Sequence, residues 1–234
     1  MKRLAAYLVH TLTASGAICG LLALYTITRG EYQTTFLLLA IALIIDGIDG
    51  TLARKVDIKH SGVKIDGALM DNIIDYLTYV IVPAFFFLST PYLLPQWRVP
   101  LAAAIALSSA FQFSQTDAKT DDHFFKGFPD YWNILMFYFF ILNLSPAINT
   151  FIVGLCVLLV FIPIKYVYPS RPDYVSRSKT IRKTISISTL VWILSLFFLL
   201  FTFPTSHKTT LNLGLLYCFA YLSVSLYRTF KPLK

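Results

Sequence analysis

Charge is scarce in this chain. Of 234 residues only 14% are Asp, Glu, Lys or Arg, where soluble domains average about 25%. Together with 56% hydrophobic residues and a mean hydropathy of +0.66, that scarcity excludes a disordered tail and makes a soluble enzyme a poor fit. Lipid is the solvent such a composition requires. Cysteine is scarce as well: Cys19, Cys156 and Cys218 stand far apart within apolar runs. With no C-x-x-C spacing and no His at ligand distance, neither a disulfide scaffold nor a zinc site fits, and the three read as small core residues. No internal repeat, low-complexity linker or second domain is visible, so 1–234 reads as one membrane domain. A small-residue cleavage site is also missing after Lys2 and Arg3, and the apolar run that follows them reaches about Thr28. It reads as a first span rather than a signal peptide.

Apolar stretches are what the chain has in quantity. They lie near 4–28, 33–52, 67–89, 98–117, 131–144, 146–168, 184–203 and 211–229, several close to the ~20 residues that cross a bilayer as a helix. The expected fold is therefore all-α and polytopic, with about eight transmembrane helices. The weakest division is within 131–168, where only NLSPA parts two stretches and a broken hairpin is the alternative. An even span number puts both termini on one side, and the basic residues say which. With the termini cytoplasmic, 17 of the 20 Lys and Arg residues fall on the inner side and only Arg29, Arg98 and Lys208 outside, as the positive-inside rule requires. The formal charge of +8 is thus read as loops facing anionic headgroups, not as a nucleic-acid surface.

Four carboxylates break the apolar pattern. Asp46 and Asp49 fall at the end of the second stretch, Asp71 and Asp75 in the third. An Asp at mid-bilayer costs roughly 2.5 to 3.5 kcal/mol even on insertion scales. The pairs are spaced i,i+3 and i,i+4, so on helices each pair shares one face with β-carbons roughly 5–6 Å apart, and two helices could present all four to each other. Nothing cationic accompanies them; Arg54 and Lys55 come a turn later. A divalent ion is the economical counter-charge, and carboxylates without His or Cys suit a hard ion, Mg²⁺ or Mn²⁺. Two ions at about 3.5–4 Å are the arrangement that clamps a phosphoryl group during displacement. Against this stand helix–helix hydrogen bonds between partly protonated acids, or an ion path. Gly47, Gly50, Ala53 and Gly67 leave the helix faces beside the acids without bulk, which suits close approach of a ligand, whereas Gly16 and Gly20 form a GxxxG that reads as helix packing. His10 and His123 have no visible partners and read as structural or solvated.

Written out, the region is Asp46, two residues, Asp49, Gly50, two residues, Ala53, Arg54, twelve residues, Gly67, three residues, Asp71, three residues, Asp75. This resembles the signature of the CDP-alcohol phosphatidyltransferases. Many members have eight residues between the Arg and the next Gly; the twelve here are similar to the bacterial branch whose acceptor alcohol is choline, as are TYVIVPAFFF, FKGFPDYWNI and FIPIKYVYPSR. The resemblance implies transfer of a phosphatidyl group from CDP-diacylglycerol to choline with release of CMP. It also implies two ions, Mn²⁺ or Mg²⁺, on Asp46, Asp49, Asp71 and Asp75, with Asp75 also the base. Gly50, Ala53 and Gly67 would make room for the CMP moiety, with Arg54 nearby. A homodimer in the bacterial inner membrane, its active site facing the cytoplasm, is implied too, while the insert 55–66 carries no transferred role.

Two further groups of residues bear on the substrates. In the basic segment 165–183, a topology determinant in the first place, Arg171 and Arg177 are the candidates for a lipid or nucleotide phosphate because of their forked donors. A choline ammonium cannot donate hydrogen bonds and is held best by aromatic faces, for which Tyr76, Tyr131, Trp132, Tyr166 and Tyr168 are candidates, although aromatics also form interfacial belts. Serine, glycerol phosphate or an inositol compound would be alternative acceptors. A cation transporter using the four acids as its path is the alternative of another class.

Overall fold

The computed structural model describes residues 2–57, 60–118, 120, 124–168, 175–176, 178–205 and 207–231. Among them the chain is helical apart from a pair of two-residue strands. The helices are α1 (Lys2–Thr28), α2 (Tyr32–Val56), α3 (Gly67–Asp75), α4 (Val82–Ser89), α5 (Pro95–Ser114), α6 (Trp132–Leu142), α7 (Pro146–Phe161), α8 (Lys179–Thr202) and α9 (Lys208–Phe230). A π-helical segment, Tyr76–Ile81, joins α3 to α4 without a break, so that Gly67–Ser89 is one rod. Each of the eight apolar stretches thus overlaps one rod. Five of these, α1, α2, the Gly67–Ser89 rod, α8 and α9, are long and apolar enough to cross a membrane. Large apolar side chains such as Leu21, Phe151 and Phe219 are 64 to 72% exposed on their outer faces, an arrangement lipid stabilises and water does not.

The chain falls into two compact units. One comprises Met1–Phe113 and Tyr131–Phe151, the other Ser114–Asp130 and Ile152–Lys234. In the first, α1 and α2 form an antiparallel pair across a short turn, fastened near it by the buried Thr26 and Thr35 hydroxyls 2.8 Å apart. Helix α1 then runs beside α3 in the same direction. A β-carbon on Gly16 would lie 2.8 Å from Ile74 Cγ2, and one on Gly20 2.7 Å from Leu77 Cδ2, so the GxxxG face is filled by the third rod. Gly16→Val forces a branched side chain against the stiff Ile74 and should cost about 1–3 kcal/mol. The expected result is a lower thermal midpoint in detergent, read by near-UV circular dichroism. An unchanged midpoint would mean that α1 and α3 do not pack through Gly16.

Local chemistry sets the ends of these helices. Asp57 closes α2 in the left-handed conformation, φ 56°, and its carboxyl lies below the usual range, first because His60 Nδ1 donates to it at 2.7 Å. Asp66 caps α3, its Oδ1 accepting from the Leu69 N–H at 3.0 Å. The π segment has a cause in the sequence. Pro83 lacks an N–H, so the Tyr79 carbonyl loses its i+4 donor, and just before it the Val82 N–H reaches Leu77 O, five residues back; wider turns of this kind recur at functional sites.

The division expected within 131–168 exists, with a correction. Asn143 turns the chain at φ 45° between α6 and α7, but α7 ends at Phe161 rather than near 168. Pro163 disfavours helix in the residue before it, and Lys165–Tyr166 instead pairs antiparallel with Phe125–Lys126. In the second unit α8 and α9 pack together with Trp192 stacked on Tyr217 at 4.8 Å, and Tyr221 donates to Val167 O at 3.0 Å.

Candidate active site

The four carboxylates meet at the facing ends of α2 and α3. Spacing puts Asp46 and Asp49 one turn apart on α2, and Asp71 and Asp75 one turn apart on α3. Packing of both helices on α1 turns the two pairs toward each other. One oxygen from each of Asp46, Asp49 and Asp71 lies within 4.8 Å of the others. Asp49 is buried and Asp46 and Asp71 half-buried. All four acids, with Thr13 of α1 and Thr78 of the π segment, line a cavity of about 10 Å³, the room of a single water or ion rather than of a nucleotide. The Tyr79 hydroxyl donates to Asp46 Oδ2 at 3.3 Å.

Like charges this close repel. The cluster therefore fits a cation: its donors are all hard oxygens, the set that Mg²⁺ and Mn²⁺ prefer, and they enclose an ion-sized space.

The small residues divide in two. A β-carbon on Gly47 would meet nothing within 4 Å, and one on Gly50 would meet only Arg54 Nη1, at 3.6 Å, so this part of α2 is open beside the acids. Half-buried Ala53 continues that face, and exposed Arg54 folds back to donate to Thr51 Oγ1 at 3.1 Å. Gly67 differs. Its missing side chain is space taken by the His10 ring, with Cε1 3.1 Å from the β-carbon position; His10 is buried and its Nε2 has no hydrogen-bond partner among the described residues.

The five aromatic candidates scatter. Tyr76 opens the π segment, donates to Ala106 O at 2.7 Å and lies edge-on to Phe113. Trp132 is fully buried, with its indole N–H on Ser109 Oγ at 2.9 Å. Tyr131 is close enough to Tyr79 to interact with it electrostatically, as are Asp46 and Asp75. Tyr166 and Tyr168 belong to the second unit, the first buried against Phe128 and Tyr221, the second edge-on to Phe125 at 4.8 Å. Arg171, Arg177 and His123 lie outside the described residues. Tyr79 was not among the sequence candidates, although its position four residues after Asp75, one turn along the same face, is a readable signal.

A match to the CDP-alcohol phosphatidyltransferase family covers residues 7–218 and includes every acid of the cluster. The chain belongs to that family. Its members are phosphatidyltransferases that generally use divalent metals, in keeping with the acid triad. Among curated relatives of this family member is the phosphatidylcholine synthase of Legionella pneumophila, 48% identical over 98% of this chain and 90% of that protein. Those of Legionella bozemanae and Borreliella burgdorferi are 46% and 43% identical, over 92% and 97% of this chain and 100% and 95% of theirs.

Proposed function

We propose that this phosphatidyltransferase transfers the phosphatidyl group of CDP-diacylglycerol to choline, giving phosphatidylcholine and CMP. The observation that carries the reading is the convergence of Asp46, Asp49 and Asp71 within 4.8 Å, with Asp75 on the same cavity. Choline as the acceptor is supported by the identity to phosphatidylcholine synthases along nearly the whole chain. Asp46, Asp49 and Asp71 would hold one ion, Mn²⁺ or Mg²⁺, in the ion-sized space between them, and Asp75 would share in holding a second beyond that space, once substrate is present. When bound, the ions withdraw charge from the pyrophosphate oxygens and stabilise CMP as it leaves.

The rest is the work of the side chains. Asp75 accepts the choline hydroxyl proton as the new bond from choline oxygen to the phosphatidyl phosphorus forms and the bridging bond to CMP breaks. A carboxylate beside cations is a weak base, so it acts as a positioned acceptor in the transition state rather than by prior deprotonation. The open face of Gly47, Gly50 and Ala53 admits the nucleotide, with Gly67 and Arg54 at its edge. Tyr131, which interacts electrostatically with Tyr79, is our first choice among the aromatics for the choline ammonium. Arg171 and Arg177, outside the described residues, are the candidates for a lipid or nucleotide phosphate.

Eight spans with both termini cytoplasmic, in a bacterial inner membrane, is the topology we propose for 1–234 as one membrane domain that pairs as a homodimer. The parallel course of α1 and α3 supports it: Lys2 and Arg3 begin α1 at the end of the first unit where Arg54 and Lys55 close α2. That is the basic, inner end by the positive-inside rule, and there the acids meet a nucleotide held in the cytosol.

The test is CMP release by the purified protein with CDP-diacylglycerol and Mn²⁺, offering choline, serine, glycerol 3-phosphate and inositol in parallel, each with an EDTA control. Choline-dependent release that EDTA abolishes is expected. Release with another alcohol in place of choline would overturn the acceptor and keep the chemistry; no release with any of them would overturn both.

A further inference from the structure

We propose that Tyr79 is a positioning residue for Asp46, fixing the rotation of that carboxylate within the acid cluster and thereby setting its affinity for metal; this rests on the metal reading above. An oxygen of Asp46 lies within 4.8 Å of oxygens of both Asp49 and Asp71, where repulsion between carboxylates favours turning one of them away. The Tyr79 hydroxyl opposes that turn. It donates to Oδ2 at 3.3 Å, at the long end of hydrogen bonding, as is common for catalytic contacts before ligands tighten them. Being neutral, it orients a carboxylate without neutralising it, as outer partners of metal ligands do. A Lys or Arg in its place would compete with the metal.

Tyr79 is held where it can do this. It sits in the π segment that Pro83 imposes immediately after Asp75. Just before it the segment is fastened: Tyr76 donates to Ala106 O at 2.7 Å, and Thr78 Oγ1 to Ile74 O at 3.0 Å. The ring is therefore carried by a backbone anchored on α5 and on its own preceding turn. Its hydroxyl reaches from the rod that carries Asp75 to a carboxylate on the other helix, Asp46.

The test uses the purified full chain and Tyr79→Phe, which removes the hydroxyl and keeps the ring. Mn²⁺ is titrated without substrate and the free ion followed by electron paramagnetic resonance. The expected result is a dissociation constant about 10 to 100 times larger, with the metal-free thermal midpoint unchanged and turnover restored toward the parent value by excess Mn²⁺. A merely structural tyrosine would not give metal rescue. An unchanged dissociation constant, or a turnover loss that excess Mn²⁺ leaves in place, overturns the proposal. Parent protein that takes up no Mn²⁺ overturns the metal reading and this proposal with it, whereas parent binding that Tyr79→Phe leaves intact overturns this proposal alone.

Discussion

Asp71→Asn is expected to lower CMP release by at least about 10³-fold while the protein still folds. Asp71 is the α3 member of the triad, with an oxygen within 4.8 Å of both Asp46 and Asp49. The amide keeps the side chain's size but removes one of the negative charges that would hold the cation. Loss of a preorganised electrostatic contact of this kind costs about 10² to 10³ in rate by itself, and weakened metal occupancy adds to it. Folding should not suffer. Without metal the four acids repel one another, so deleting one charge relieves the helix pair, and the metal-free thermal midpoint should stay level or rise. Added Mn²⁺, which stabilises the parent protein by binding its folded form, should raise the midpoint of the variant less. The measurements are CMP release and the thermal midpoint with and without Mn²⁺. Near-parental activity would remove Asp71 from the site.

Asp75→Asn should separate the two roles assigned to the acids. Asp75 lines the cavity but stands outside the triad, so its amide should cost about 10² to 10⁴ in kcat, the range of a positioned proton acceptor, with a smaller loss of Mn²⁺ affinity than Asp71→Asn. KM for CDP-diacylglycerol should change little, because the interaction lost is one made in the transition state. If the two variants lose metal affinity equally and kcat recovers at high Mn²⁺, Asp75 is a ligand and not the base.

The pairing of these acids illustrates how sequence and structure share the explanation. Spacing alone put Asp46 with Asp49 and Asp71 with Asp75, because helix geometry fixes which residues share a face. It also located eight apolar stretches, since in lipid every backbone polar group must be satisfied within its own helix and the pattern is local. The end of α7 at Phe161 was legible too, in Pro163, but the hydropathy of the following residues masked it.

Other features depend on which chain segments meet, and no local pattern carries that. His10 fills the space that Gly67 leaves vacant, 57 positions away in the chain, so the glycine read as room for a nucleotide is also a contact with α1. Trp132 and Tyr76 read as candidates for the choline ammonium; tertiary packing commits one to Ser109 in the core and the other to a carbonyl of α5. Tyr79 was one of 14 tyrosines until the fold placed its hydroxyl on Asp46.

By itself the sequence determined an all-helical membrane chain, the residues that form its acid pairs and, through their order, its family. The tertiary structure decided that the pairs face one another across an ion-sized space, which α1 lines with Thr13 and Gly16, and that a tyrosine reaches Asp46. Periodicity and hydropathy act over a few turns of one helix. Convergence of carboxylates is set by the packing of three helices against one another, where a single methylene decides how closely their backbones approach.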